Sequence, residues 1–247
     1  MNVKKQRLDL LLVARGLFES REKAQRAIMA GEVRVGEAVA DKPGTKTPED
    51  ALITLKPQCR YVGRGGLKME AALRQFGIDP TGKTCLDIGA STGGFTDCLL
   101  QHGAVKVHSV DVGHSQLDWK IRSDPRVVVR EKFNARHMVA SDIGDPIDLC
   151  VIDVSFISLT LILPAAIPLI VPGGHIIPLI KPQFELGKEE VDAGRGVVRD
   201  RAAQQRAVDK IEAFVREAGN PLWEGVIESP ILGGEGNREF LACLRKL

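Results

Sequence analysis

The fold of this chain is decided by the stretch Leu86-Asp87-Ile88-Gly89-Ala90-Ser91-Thr92-Gly93-Gly94-Phe95. Residues 84–88 are predicted to form a short buried strand, and residues 95–100 to begin a helix. The turn between them, residues 89–94, has small side chains, which let the backbone come close to a ligand while the first N–H groups of the helix face it. Strand, turn and helix together predict a nucleotide-type binding site in an α/β fold.

A second acidic residue, Asp111, ends the next predicted strand and lies 24 positions after Asp87. This offset is close to the roughly 20 residues at which a carboxylate reaches a ribose diol. The dinucleotide pattern of three glycines is absent, because Ser91 stands where the second glycine would be. An acid at the strand end suits the amino group and sulfonium of S-adenosylmethionine better than a pyrophosphate. We therefore predict an S-adenosylmethionine site, with a turn that binds nothing as the alternative, formed by Asp87, Gly89, Ser91, Gly93, Gly94, Phe95 and Asp111.

The length, composition and charge of the chain limit the classes of protein to which it can belong. The chain has 247 residues, enough for one large domain or for one domain and a small module. Hydrophobic residues make up 44% and charged residues 27%, as in ordinary globular proteins. The net charge of +2 is uneven, because residues 1–70 carry 14 Lys or Arg against 9 Asp or Glu. A basic N-terminal part predicts an anionic partner, with plain solvation as the alternative.

Cysteine, histidine and apolar patterns argue against several other classes. The five cysteines show no C-x-x-C spacing, so we predict reduced thiols in a cytoplasmic protein without a signal peptide. The five histidines are scattered and predict no metal site. The longest uncharged, mostly apolar run, residues 156–171, is 16 residues long and contains Pro164 and Pro168. It is too short and too interrupted to span a bilayer.

The N-terminal part has the pattern of a small separate module. Residues 7–15 and 21–30 are predicted helices, with Ser20 as the N-cap of the second, and residues 33–35 and 51–55 are predicted strands. The residues Arg7-Leu8-Asp9, Ser20-Arg21-x-x-Ala24-x-x-x-Ile28 and Gly31-x-Val33-x-Val35 resemble the small RNA-binding module named after ribosomal protein S-four.

In that family the helix pair presents basic side chains to structured RNA. The resemblance implies phosphate contacts, which position RNA without reading its sequence, from Arg7, Arg21, Lys23 and Arg26. The alternative is a helical hairpin that only packs on the main domain.

The glycine-containing segment 59–65 is predicted to link a domain 1–58 to a domain 66–247. Arg60 and Arg64 lie beside Tyr61, the only tyrosine of the chain, and are further candidates for RNA contact. Tyr61 itself either stacks on a base or anchors the linker.

From residue 66 onward, helix and strand patterns alternate, which predicts a mostly parallel sheet. Residues 159–170 are predicted as a buried helix, and residues 181–198 as a mobile functional loop. A long amphipathic helix and two further strands, at 222–228 and 239–244, end the pattern. Such a hairpin, closing a mostly parallel seven-stranded sheet, is typical of class I Rossmann-like methyltransferases and is absent from dinucleotide-dependent dehydrogenases.

Four polar residues are predicted at or near the ligand-binding edge of this sheet. Asp153 and Lys181 end strands, Glu239 begins the last strand, and Lys68 begins the helix ahead of the sheet. Their contexts are Gly65-Gly66-Leu67-Lys68, Val151-Ile152-Asp153-Val154-Ser155-Phe156, Leu179-Ile180-Lys181-Pro182-Gln183-Phe184 and Gly236-Asn237-Arg238-Glu239-Phe240.

Together these residues resemble the Lys-Asp-Lys-Glu tetrad of the FtsJ-type RNA ribose 2′-O-methyltransferases. With the N-terminal module, nearly the whole chain resembles the TlyA family, historically labelled haemolysin, which contains rRNA 2′-O-methyltransferases that modify cytidines. The resemblance implies methyl transfer from S-adenosylmethionine to ribosomal RNA without a metal. It favours the large ribosomal subunit over the small one, and it implies that Asn134 lies at the adenine end of the cofactor pocket.

A ribose hydroxyl is a poor nucleophile and needs a base or a strong acceptor at the moment of attack. A lysine serves as base when burial and a neighbouring cation make its ammonium give up a proton more easily. Lys181 is the candidate base and Lys68 its neighbour, while Asp153 and Glu239 would fix the lysines and the hydroxyl. For each residue the alternative is an ordinary surface ion pair.

Other functions remain open at this stage. A membrane-active haemolysin needs an amphipathic or spanning segment, and none is evident in the sequence. A non-catalytic factor that binds the cofactor and RNA during ribosome assembly is a second alternative, and a small-molecule methyltransferase fits the basic module least well. We expect a monomer or a weak homodimer.

Overall fold

Our computed structural model of the protein describes residues 4–56 and 60–247. The chain divides into two compact units, residues 1–59 and 60–247. Cys59, the first residue of the predicted linker, lies outside the described residues.

The first unit is a small α/β module. Its apolar core contains Leu8, Leu12, Ile28 and Val33, each fully buried. Ser20 caps the second helix as predicted, because its side chain accepts a hydrogen bond from the N–H of Lys23. The described elements are β1 (Lys5–Arg7), α1 (Leu8–Ala14), α2 (Arg21–Met29), β2 (Val33–Val35), β3 (Ala38–Val39), β4 (Lys46–Pro48) and β5 (Ile53–Leu55).

The second unit is built on a seven-stranded sheet. Its helices are α3 (Gly65–Phe76), α4 (Gly94–Gln101), α5 (Trp119–Arg122), α6 (Ala140–Ile143), α7 (Leu163–Ala166), α8 (Pro182–Glu185), α9 (Lys188–Ala193) and α10 (Arg201–Ala218). Its strands are β6 (Thr84–Ile88), β7 (Lys106–Val110), β8 (Val127–Arg130), β9 (Ile147–Ile152), β10 (Ile170–Ile180), β11 (Leu222–Glu228) and β12 (Phe240–Arg245).

The strand order is β11-β12-β10-β9-β6-β7-β8. Strands β6 to β10 run parallel, whereas β12 is antiparallel to both β10 and β11. This confirms the predicted mostly parallel sheet with a closing antiparallel hairpin. Because the carboxyl ends of parallel strands meet at one edge, the residues that follow them gather there: Gly89, Asp111, Glu131, Asp153 and Lys181.

Both faces of the sheet are covered. Leu86 and Ile88 pack into one apolar cluster, and Cys85 lies in the cluster on the other face, as side chains that alternate along a strand require. The four described cysteines are buried and free.

Three predictions along the second unit are corrected. Residues 159–170 do not form one helix, because Pro164 and Pro168 lack the N–H that a continuous helix needs, and two 3-10 turns with the short α7 replace it. Residues 181–198 are not a structureless loop, since they contain α8 and α9. The described part of the predicted linker, residues 60–65, belongs to the second unit, where Tyr61 is 2% exposed.

Candidate active site

The turn after β6 needs glycine for steric reasons. Gly89 has φ +87°, and a Cβ at this position would lie 2.3 Å from the backbone oxygen of Asp153. Gly93 has φ +95°, and a Cβ there would lie 2.9 Å from a methyl carbon of Leu117. Both positions combine a left-handed backbone with a close contact, so a larger residue would displace the neighbouring segments.

The first two residues of α4, Gly94 and Phe95, lie against the start of α3. A Cβ on Gly94 would lie 3.0 Å from the backbone nitrogen of Gly66, and a Cβ on Gly65 would lie 3.2 Å from the ring of Phe95. This close approach fixes the helix that carries Lys68 beside the turn.

Asp111 supports the turn from the next strand. Its carboxylate accepts hydrogen bonds from the N–H groups of Ser91, at 2.8 Å, and Gly113, at 2.6 Å. Ser91 has φ +48°, so the bond to Asp111 holds a backbone conformation that a serine rarely adopts.

A cavity of about 340 Å³, which we call the strand-end cavity, opens beside this turn. Its volume falls in the range of small-ligand sites. It combines a carboxylate, an amide and apolar walls, and among its lining residues are Gly89, Ser91, Asp111, Val112, Phe133, Asn134, Asp153 and Ile162. Asn134 accepts the N–H of Arg136 through its side-chain oxygen, at 3.1 Å, which orders this end of the wall. A nucleoside fits these donors, acceptors and apolar surfaces.

The carboxylate of Asp87 lies beneath the turn. Its side chain is fully buried and accepts a hydrogen bond from Thr96 Oγ1, at 2.6 Å, through Oδ2. Burial raises the pKa of Asp87 to about 7. Its Oδ1 has no hydrogen-bond partner among the described residues, and the side chain is not among those that line the strand-end cavity.

Two lysine–carboxylate pairs stand at the same edge of the sheet. Lys68 Nζ donates to Glu239 Oε2 at 2.5 Å, and the side chains are 10% and 3% exposed. Lys181 Nζ lies 2.6 Å from Asp153 Oδ1 and donates to Ser155 Oγ at 3.0 Å. Asp153 Oδ1 is buried, and the Lys181 ammonium is its close charged neighbour among the described residues.

The two lysine–carboxylate pairs line neighbouring cavities. Lys68 and Asp153 line a second cavity of about 250 Å³, which shares Gly89 and Ser91 with the strand-end cavity. Lys181 and Glu239 line a third cavity of about 380 Å³. Each lysine–carboxylate pair therefore has one member in the second cavity and one in the third. The four residues, which were predicted from four distant parts of the chain, lie around the boundary between these cavities.

Comparison with known proteins decides the family. Residues 61–246 match the model of the FtsJ-like methyltransferases, and residues 6–53 match the S4 domain. The chain belongs to the FtsJ-like methyltransferase family.

Two curated relatives and one solved structure cover nearly the whole chain. A candidate rRNA methyltransferase of Bacillus subtilis, YqxC, is 50% identical over 99% of this chain and 87% of its own length. The 16S/23S rRNA (cytidine-2′-O)-methyltransferase TlyA of Mycobacterium tuberculosis is 44% identical over 97% of this chain and 89% of its own. A solved structure from Streptococcus thermophilus, described as a candidate haemolysin, is 45% identical, covers 99% of this chain and 89% of its own, and has a TM-score of 0.75.

In this FtsJ-like methyltransferase, two of the arginines predicted to bind RNA have a structural role as well. Arg7, Arg21 and Gln25 all donate to the carboxylate of Asp9, at distances of 2.8 to 3.0 Å. The Asp9 side chain is fully buried, and the Arg7 guanidinium holds its pKa well below the usual range. Arg21 and Gln25 therefore fasten α2 to α1, Arg7 holds the same carboxylate from the residue before α1, and part of each arginine remains exposed.

The other basic candidates differ in their surroundings. Lys23 pairs with Glu19, whereas Arg26 is exposed and makes no ion pair with any described residue. In the second unit, Arg60 pairs with Glu70, and its guanidinium lies 5.4 Å from the centroid of the Tyr61 ring.

Arg64 donates to the backbone oxygen of Leu232 at 2.7 Å and lines the second cavity. The burial of Tyr61 supports the anchoring interpretation of that residue over base stacking.

One group of possible metal ligands emerges only in the fold. His175, Glu224 and Cys243, on three adjacent strands, have ligand atoms within 4.8 Å of one another. Their separation in sequence hid this group. Glu224 is already paired with Arg245, and burial raises the pKa of the Cys243 thiol to about 12.

Sequence reasoning missed Gly233, Asn237 and Glu185. A Cβ on Gly233 would lie 2.4 Å from Glu239 Oε1, and Asn237 fastens the same loop by accepting the N–H of Val198 at 2.8 Å. Glu185 comes one residue after the quoted context of Lys181 and carries no motif of its own. In the part of the chain that the structure describes, no helix is both long enough and apolar enough to cross a membrane.

Proposed function

We propose that this protein transfers a methyl group from S-adenosylmethionine to the ribose 2′-hydroxyl of a cytidine in ribosomal RNA. The observation that carries the proposal is the meeting of two lysine–carboxylate pairs beside a nucleoside-sized cavity. The names of the relatives supply the nucleotide and the kind of RNA.

The strand-end cavity is the proposed cofactor site. Asp111 would hold the ribose hydroxyls, Asn134 would lie beside the adenine, and Gly89 and Ser91 would leave room for the amino-acid part. When bound, the cofactor supplies an electrophilic methyl group on a sulfonium sulfur. Gly94 and Phe95 act from the other side of the turn by holding Lys68 in place.

The tetrad of Lys68, Asp153, Lys181 and Glu239 is assigned the transfer of the proton from the ribose 2′-hydroxyl. Asp153 would orient the incoming hydroxyl, and Lys181 Nζ, as the neutral amine, would take its proton while the ribose oxygen bonds to the methyl carbon and the carbon–sulfur bond breaks, leaving a neutral thioether. Lys68 and Glu239 neutralise each other in the wall and fix the boundary of the site. Holding the oxygen in line with the carbon–sulfur bond supplies much of the rate.

The two units divide the work in this proposal. The first unit binds RNA through its basic side chains, including Arg7, Arg21, Lys23 and Arg26, and the second unit carries out the chemistry, with Arg60 and Arg64 as further RNA contacts. A ribosomal substrate places the enzyme in the cytoplasm. A non-catalytic assembly factor would have no need for the tetrad, and the chemistry requires neither a bound metal nor more than one copy of the chain.

The test is transfer of radiolabelled methyl groups from S-adenosylmethionine to unmodified small and large ribosomal subunits. Wild type is expected to label rRNA, and Lys181→Ala to label it at least ~100-fold more slowly, as loss of a proton-transfer group does. Lys106→Ala is the matched control, because Lys106 also pairs with an aspartate, at 3.0 Å, but at the opposite edge of the sheet.

Calorimetry should show that both variants still bind S-adenosylmethionine. The sequence favours the large subunit, and the subunit that becomes labelled decides the specificity. Cofactor binding without label on either subunit would contradict the ribosomal assignment, and full activity of Lys181→Ala would contradict the role of the tetrad.

A further inference from the structure

Glu185 is a buried carboxylate that the proposed chemistry does not use. It ends α8 and is 5% exposed. Its Oε2 accepts the hydroxyl of Ser158 at 2.5 Å, and its Oε1 accepts the N–H of Leu159 at 2.8 Å. Lys210, on α10, donates to Oε2 at 3.1 Å and to the backbone oxygen of Glu185 at 2.7 Å.

These contacts join the two segments that carry Asp153 and Lys181, the pair assigned to proton transfer. The first, which we call the Asp153 segment, comprises residues 153–159 after β9. The second, the Lys181 segment, comprises residues 181–185 after β10. Glu185 is the last residue of one segment, and its partners Ser158 and Leu159 are the last two residues of the other, so these contacts close the pair of segments at the end away from the strands.

The segments touch at two further places. Lys181 Nζ lies 2.6 Å from Asp153 Oδ1 where the strands end. Between this contact and Glu185, the rings of Phe156 and Phe184 lie 5.1 Å apart.

The Asp153 segment is only partly held by its own packing. Val154 and Ile157 pack against the apolar core, whereas Phe156 has φ +63°, a conformation that costs energy in a bulky residue, and its side chain is 91% exposed. Residues of this segment also form part of the strand-end cavity wall. A strained segment keeps its shape only when its surroundings hold it, and Glu185 provides two hydrogen bonds to the end of this one.

We propose that Glu185 is a positioning residue, which clamps the Asp153 segment to the Lys181 segment and so holds Lys181 against Asp153 and Ser155. This inference rests on the proposed function, because the pair that Glu185 positions is the pair assigned to proton transfer. A purely structural role, in which Glu185 only neutralises Lys210, is the competing explanation.

Substitutions at position 185 separate the two explanations. Glu185→Gln keeps the length of the side chain: its oxygen can accept from Leu159 and its amide can donate to the Ser158 hydroxyl, whereas the charge and the Oε2 acceptor for Lys210 are lost. Glu185→Ala removes both contacts to the Asp153 segment. We expect the alanine variant to lower kcat by roughly a hundredfold and the glutamine variant by no more than about threefold, with the KM for RNA nearly unchanged in both.

The split between kcat and KM is the readout that a merely structural role would not give. In Glu185→Ala, the looser contact between Lys181 and Asp153 should slow turnover at saturating RNA and cofactor, whereas a general loss of stability would appear in the melting temperature and not in the kcat of the folded protein. Asp145→Ala is the control, because Asp145 also binds two side chains, Lys106 and His108, at the opposite edge of the sheet. It should lower the melting temperature without changing kcat or KM below that temperature.

Each outcome decides the question. Wild-type kcat in a folded Glu185→Ala protein would overturn the inference, and so would a Glu185→Gln variant as slow as the alanine variant, which would point to charge balance with Lys210. If Glu185→Ala does not fold, Ser158→Ala removes one contact from the other side and should lower kcat with KM nearly unchanged. Absence of methyl transfer by wild type would refute the proposed function and this inference with it, whereas equal activity of wild type and Glu185→Ala would refute this inference alone.

Discussion

A methyl group at position 233 would collide with the site, because a Cβ there would lie 2.4 Å from Oε1 of Glu239. The carboxylate is 3% exposed and held by Lys68, so it can yield only by turning away from that lysine. We expect Gly233→Ala to lower kcat by about tenfold or more while the free energy of unfolding changes by less than about 1 kcal/mol, since the clash falls on a side-chain end and not on backbone.

The neighbouring glycine provides the control for this prediction. Gly234 does not have a left-handed backbone, and a Cβ there would meet nothing within 4 Å. Turnover at saturating RNA and cofactor, measured beside thermal unfolding, compares the two variants. Equal activity of Gly233→Ala and Gly234→Ala would mean that the position of the Glu239 carboxylate does not limit catalysis.

At the scale of elements, patterns local in sequence were predictable and contacts between distant residues were not. The parallel strands, the small-residue turn and the closing hairpin follow from periodicity and from glycine, because these are properties of neighbouring residues. The tetrad positions followed from strand ends and family resemblance, yet the pairing of Lys68 with Glu239 joins residues 171 positions apart and is decided by packing. Residues 159–170 were misjudged because their apolar pattern concealed the effect of two prolines.

The helix pair of the first unit depends on one carboxylate. Asp9 accepts hydrogen bonds from Arg7, Arg21 and Gln25, and it is fully buried. Asp9→Ala removes the shared acceptor of these donors; because both arginines are partly exposed, the cost should be below the roughly 3–5 kcal/mol of a fully buried pair, enough to loosen this unit. Hydrogen exchange of the α1 and α2 amides in the full chain measures the effect, with the exposed Asp41→Ala as the control.

The lowered pKa of Asp9 predicts that the stability of the first unit depends on pH. The pKa of Asp9 is lowered in the folded unit, chiefly by Arg7, so the carboxylate stabilises the fold above its unfolded pKa of about 3.9. That stabilisation is lost as the pH falls below about 4 toward the folded value. Exchange in α1 and α2 should therefore speed up, after correction for intrinsic rates, between pH 5 and pH 3, about where acid-induced losses of this kind occur. Protection that is independent of pH over this range would show that the carboxylate contributes little.

At the scale of the whole molecule, affinity for RNA and the chemistry reside in different units. Residues 1–59 carry 11 Lys or Arg against 8 Asp or Glu, whereas the cavities and the tetrad all lie in residues 60–247. The second unit has its own apolar clusters on both faces of its sheet. A chain of residues 60–247 should therefore fold and bind S-adenosylmethionine with nearly the affinity of the full chain.

The activity of residues 60–247 on ribosomal RNA should differ from that of the full chain. Loss of the basic first unit removes phosphate contacts, so the KM for ribosomal RNA should rise at least ~10-fold, and log KM should depend less steeply on the logarithm of the salt concentration. Arg26→Ala in the full chain is the graded comparison, because this exposed arginine has no ion-pair partner among the described residues; it should reduce the salt slope by about one. Methylation by residues 60–247 with the KM and salt slope of the full chain would show that the first unit plays no part in holding the RNA, and that recognition comes from the surface around Arg60 and Arg64.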